Sequence, residues 1–70
     1  MKLSIEIDQE EDGRWIAEIL ELPGVMVYGI SEAEAVNKAK ALALHVIADL
    51  MESGELGSLE DLAFTSNQAA

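Results

Sequence analysis

Residues 2–8 alternate strictly, with Leu3, Ile5 and Ile7 set against Lys2, Ser4, Glu6 and Asp8. A period of two predicts a half-buried strand. The polar run 9–14 follows, and its Asp12-Gly13 pair is a hairpin signal, because glycine tolerates the positive φ of a tight turn. Residues 14–20, RWIAEIL, then read as a second strand. With Asp12-Gly13 as a two-residue turn, Glu11 faces Arg14, Ile5 faces Leu20 and Leu3 faces Leu22. One hairpin face then holds Leu3, Ile5, Ile7, Ile16, Leu20 and Leu22, with Glu18 as the odd member. The other holds Trp15, Ala17 and Ile19 beside Glu6 and Asp8. A slipped register or a longer loop exchanges these neighbours. In either case both faces of the second strand carry apolar side chains.

Pro23-Gly24 breaks the apolar run, since proline cannot donate to a sheet ladder. The pair predicts a tight turn that fixes sheet topology rather than a partner contact, and residues 25–29 form a short third strand. The helical pattern is the clearest. Ser31 followed by Glu34 makes a capping box, and Gly54 suits the C-terminal cap. The helix spans about residues 32–53, or about 33 Å at 1.5 Å per residue. Ala35, Ala39, Leu42, Ala43, Val46 and Leu50 fall on one stripe. Three of them are alanines, so the helix can approach a sheet closely. A final strand follows near residues 60–66, with Leu62 and Phe64 on one face, and residues 67–70 are expected to fray. The reading is one α+β domain over residues 1–70, an antiparallel sheet of three to four strands with one helix, in the order β-β-β-α-β. One helix can cover only one face of that sheet.

Composition narrows the function. With no cysteine, the 70-residue chain has neither a disulfide framework nor a thiolate metal site. Fourteen acids against four bases give a formal charge of −10, which argues against direct contact with nucleic acid phosphates. The same charge favours a basic partner, or serves solubility. The opening MKLSIEID is not a signal peptide, and no apolar run is long enough for a membrane span. The expectation is a cytoplasmic protein without cofactors. Small domains that lack staples often gain stability by self-association. A homo-oligomer, dimer or tetramer, is therefore expected.

The polar candidates for chemistry are weak. His45 and Asp49 lie one helical turn apart, but no nucleophile motif accompanies them, and a solvated pair is the plainer reading. The segment DQEED, residues 8–12, holds four carboxylates without the spacing of a calcium loop. Gly54 and Gly57 do not form a phosphate-binding loop. No catalytic or metal site is predicted, and the chain is read as a non-enzyme. Two apolar patches remain. The first is the sheet face with Trp15, Ala17 and Ile19, whose neighbouring acids Glu6, Asp8 and Glu18 complete a candidate partner-binding surface. The second is a helix flank with Val36, Leu44, Ile47 and Met51, a candidate oligomer interface.

An ordered set of short motifs runs through the chain. An acidic-glycine turn, Asp12-Gly13, precedes the aromatic Trp15, with Ala17 two residues on. Leu22-Pro23-Gly24 follows, then Gly29 and the helix start Glu34-Ala35. Over about residues 3–50 this set resembles the HicB antitoxin family. The resemblance implies a β-β-β-α-β fold related to a partial double-stranded-RNA-binding or ribonuclease H-like arrangement. It also implies a non-enzymatic antitoxin that binds a small basic HicA toxin, an RNA-cleaving protein, and blocks its active site. Complementary charge would steer such an encounter. Many family members add a C-terminal DNA-binding domain, but residues 54–70 hold no second basic helical unit, so operator binding is not expected. The alternative is an orphan HicB-like domain that self-associates and has no toxin partner.

Overall fold

The computed structural model describes residues 1–68. The elements follow the order β1 (Lys2–Gln9), β2 (Trp15–Ile19), β3 (Met26–Gly29), α1 (Glu32–Glu52) and β4 (Ala63–Gln68). They form an α+β fold with one four-stranded sheet in the order β3-β2-β1-β4. The first three strands are antiparallel neighbours, but β4 runs parallel to β1. The sheet is therefore mixed, which corrects the expectation of a wholly antiparallel one. The reason is the crossover. A chain that leaves one sheet edge, returns along a helix and enters at the far edge comes back in its original direction. Backbone pairing of β4 reaches Gln68, whereas the sequence placed fraying from residue 67. Residues 69 and 70 lie outside the described residues.

The β1–β2 hairpin departs from the expected register by one residue. Ile5 pairs with Ile19, Ile7 with Ala17 and Gln9 with Trp15. The loop has three residues rather than two. The Gly13 N–H donates to the Glu10 carbonyl at 3.0 Å, and the Glu10 N–H donates to the Arg14 carbonyl at 2.7 Å. Gly13 takes φ of +94°, the left-handed position that closes a turn with one extra residue. Asp12 holds this loop by accepting from the Arg14 N–H at 3.0 Å and from its Nε at 2.8 Å. Because side chains alternate with a period of two, the one-residue slip turns every β2 side chain to the opposite face.

The core follows from that slip. Leu3, Ile5 and Ile7 share the covered face with Ala17 and Ile19, all at most 2% exposed. Trp15 lies on the same side at the hairpin end, half-buried against the core. The helix seals this face with Ala35, Ala39, Ala43 and Ile47, an i, i+4 series. The expected stripe is thus rotated. Leu42, Val46 and Leu50 are half-buried on its flank, and Ile47 takes the place at the centre. Three alanines in line let the helix approach, and the nearest point is Gly29 on β3. A Cβ built there would lie 2.6 Å from the Ala35 nitrogen, so no larger residue fits without moving the helix.

Local signals place the remaining boundaries. The Val25 N–H donates to the Leu22 carbonyl at 3.1 Å, with Pro23 and Gly24 between them. Gly24 has φ of +89°, which makes this a type II turn with proline at its preferred position. The turn sends β3 back along β2, as its rigid chemistry predicts. Ser31 caps the helix by accepting from the Glu34 N–H at 3.1 Å, while the Glu34 carboxylate accepts from the Ile30 N–H at 3.1 Å. That N–H and the nearby Lys38 ammonium hold the Glu34 carboxyl below its ordinary range. At the other end the Glu55 N–H reaches the Leu50 carbonyl at 2.9 Å and the Gly54 N–H reaches Met51 at 3.2 Å, a Schellman closure.

Candidate functional site

The sheet face away from the helix is open, since α1 is the only helix among the described residues and it lies on the other side. Alternation along the strands sets its side chains. Ser4, Glu6 and Asp8 come from β1, Ile16 and Glu18 from β2, and Met26 and Tyr28 from β3. They stand in rows across the strands. Asp8, Ile16 and Tyr28 form one row, and Glu6, Glu18 and Met26 the next. Met26 is 49% exposed and Tyr28 39%, large apolar surfaces for an uncovered face.

The electrostatics are one-sided. Glu6 and Glu18 are direct cross-strand partners, and neither enters an ion pair among the described residues. Like charges directly opposite on a sheet cost stability, roughly 0.2–1 kcal/mol on the scale of such pairs. Two bases stand at the ends of this face, Lys2 at the start of β1 and, at the hairpin end, Arg14. Its charge is engaged by Asp12 at 2.8 Å, and its guanidinium carbon lies 4.5 Å from the Tyr28 ring centroid. The Arg14 N–H and side chain hold the Asp12 carboxyl below its ordinary range. Glu21 ends the β1–β2 ladder in an unusual way. Its carboxylate accepts from both the N–H and the hydroxyl of Ser4, each at 2.7 Å. Those two bonds hold its carboxyl below the ordinary glutamate range.

The residues expected to bind a partner divide between the two faces. Glu6, Asp8 and Glu18 lie together on the open face. Ala17 and Ile19 do not, being 0% and 1% exposed beneath the helix, and Trp15 lies on their side. The register slip is the cause. Ile16, Met26 and Tyr28, which sequence reasoning did not select, supply the apolar part of the surface instead. The alternation of Met26 and Tyr28 against Val25 and Val27 was available as a signal, but it needed the correct hairpin register to join Ile16 in one face.

The candidate oligomer patch on the helix is also divided. Ile47 is 3% exposed and belongs to the core, and Val36 is half-buried against it. Ile47 continues the i, i+4 line of buried alanines, so it turns inward with them. Leu44 and Met51 remain on the surface, at 49% and 44% exposure. His45 and Asp49 are both exposed on the outward side of α1. Among the described residues, no three His, Cys, Asp or Glu side chains converge in a way that could hold a metal ion. No helix among the described residues is long and apolar enough to cross a membrane.

No family model, no curated protein and no solved structure matches this chain. The resemblance to the HicB family rests on the sequence motifs alone. The structure gives those motifs physical roles: Gly13 sets the hairpin loop, Pro23-Gly24 the type II turn, and Gly29 the contact with the helix.

Proposed function

We propose that this chain is a HicB-like antitoxin-type binding module, and that its open sheet face receives the basic surface of a small HicA-type RNA-cleaving protein. The observation that carries this reading is the directly opposed Glu6 and Glu18, without an ion pair among the described residues and set beside exposed Tyr28 and Met26 on a face that none of the described elements covers. Two carboxylates opposed across strands weaken the free domain. A guanidinium or ammonium from a partner would relieve that repulsion and gain charge-assisted hydrogen bonds. The apolar row Ile16–Tyr28 would supply the desolvated centre that protein interfaces need, with the acids as a steering rim. In this role the module is not an enzyme. It works by occupying a surface.

The test is affinity purification of the tagged chain from its native cells at low salt, with mass spectrometry of what copurifies. The expected result is a stoichiometric small basic protein whose RNA cleavage the chain suppresses. The double variant Glu6→Lys, Glu18→Lys should abolish that suppression, and added salt should weaken binding steeply. A partner retained by the double variant with unchanged affinity would place the contact elsewhere and sink this reading.

A further inference from the structure

The two edges of the sheet are built differently. The β3 edge is four residues long, and it is guarded. The Lys38 ammonium lies 3.5 Å from the Tyr28 carbonyl, and Arg14 stacks on the Tyr28 ring. A lysine placed on an edge strand is a common device against pairing with another chain. The β4 edge, Ala63–Gln68, is six residues long and contains no charged residue and no proline, in a chain with 14 acids and four bases. The Ala63 N–H donates to the Met1 carbonyl at 2.9 Å, so Ala63 and Thr65 turn their backbone groups toward β1. Phe64, Ser66 and Gln68 therefore turn theirs outward, where no strand lies among the described residues.

We propose that β4 pairs antiparallel with β4 of a second copy of this chain, joining two sheets into one of eight strands. Charge selects this occupant. Self-contact through the open sheet face would set Glu6 and Glu18 against their own images, and self-contact through the helix would do the same with Asp49 and Glu52. Neither edge strand carries a carboxylate, but the Lys38 ammonium occupies the outward Tyr28 carbonyl of β3, so the longer β4 is the edge where two copies at −10 each can meet without carboxylates in register. A twofold strand pair is isologous, and it satisfies the outward N–H and C=O groups of both copies at once.

The period of two also fixes where the axis runs. Opposed residues of an antiparallel pair share a face. A twofold axis that reverses the strand stands perpendicular to the joined sheet and keeps each face on its own side, so an axis through Thr65 or Ser66 places both helices on one side. The same-side arrangement matches the shape of the chain. The helix lies chiefly over β2 and β3, and on the β4 side its Lys40 ammonium comes within 5.6 Å of the Phe64 ring centroid. There a groove of about 570 Å³ runs between Val36 and Lys40 of the helix and Ile7 and Ser66 of the sheet. The axis brings the two grooves side by side. It leaves the acidic face free, so this pairing is independent of what that face binds.

Sedimentation velocity of the purified chain tests the pairing, together with Ser66→Pro. Proline at 66 removes an outward N–H and spares the bonds to β1, and edge strands tolerate it. The expected results are twice the chain mass for wild type, and the monomer mass with an unchanged circular dichroism spectrum for Ser66→Pro. A monomeric wild type, or a folded Ser66→Pro that stays dimeric, overturns the proposal. If Ser66→Pro does not fold, cross-linking decides. The chain has no cysteine, so Thr65→Cys and Ser66→Cys each introduce a single thiol. Under mild oxidation at least one should give a covalent dimer, while Ala41→Cys on the helix should not. No covalent dimer from either strand position also overturns it.

Discussion

The two faces of the sheet are cut from the same three strands and have opposite fates. Toward the helix, Leu3, Ile5, Ile7, Ala17 and Ile19 are almost fully buried against a line of alanines. Away from it, Glu6, Asp8 and Glu18 surround Ile16, Met26 and Tyr28, and no element among the described residues lies above them. Strand β1 would fit only one way, because its alternation is clean. Strand β2 carries Ile16 and Ile19 on opposite faces and would tolerate either. A three-residue loop at Gly13 decides between them. The difference teaches that a strand with apolar residues on both sides hands its orientation to its neighbours and its turn.

The strongest break in this comparison is Ile5→Ala against Ile16→Ala. Ile5 is 0% exposed, and truncating such a residue costs about 2–5 kcal/mol, much of the stability of a domain this small. Ile16→Ala on the open face should cost less than about 1 kcal/mol on the cross-strand pair scale. Thermal melts of the two variants measure both, and equal losses would mean that the faces are assigned wrongly. Gly29→Ala comes next. Its Cβ would meet the Ala35 backbone at 2.6 Å, so the helix must lift, at about 1–3 kcal/mol on the scale of overpacked sites. Chemical denaturation should show a lowered midpoint, and an unchanged one would mean the helix can shift without loss.

The open face should answer in the opposite direction. Glu18→Lys replaces a like-charge pair by a complementary one, and should stabilise the free domain by about 0.2–1 kcal/mol at low salt. Denaturant titrations at low and high salt would show the gain shrinking as ions screen the pair. A loss at both salt concentrations would mean that Glu18 already has a stabilising contact. The smallest effect is expected at Glu21. Its folded pKa is depressed by the two Ser4 donors, so it binds protons less readily folded than unfolded. Its contribution is complete at neutral pH and is lost as pH falls below the ordinary glutamate range, through the depressed folded value. Glu21→Gln should therefore be less stable than wild type at pH 7, with the gap closing in acid. A gap that stays constant with pH would separate its role from its charge.

Much of the fold was legible in the sequence because its causes are local. Residues 2–8 showed their buried face in their own alternation. Ser31 and Glu34 marked the helix start through their own hydrogen bonds, and Pro23-Gly24 marked a turn that few other dipeptides make. The acids of the candidate site were legible for the same reason, since Glu6 and Asp8 oppose the apolar members of β1.

What lay beyond the sequence is what depends on two segments meeting. Asp12-Gly13 fits both a two-residue and a three-residue loop, and the choice moved Trp15, Ala17 and Ile19 from the proposed binding face into the layer beneath the helix. The helix rotation is similar. Leu42, Val46 and Ile47 are comparably apolar, and only the close packing of Ala35, Ala39 and Ala43 on the sheet turned Ile47 inward and left Leu44 and Met51 outside. The direction of β4 was decided by the length of the crossover and by the edge left free beside β1. Periodicity and turn chemistry act within a few residues, so the sequence by itself determined the elements and their order. Register, rotation and strand direction are set by burial shared between distant segments, and only the tertiary structure decided them.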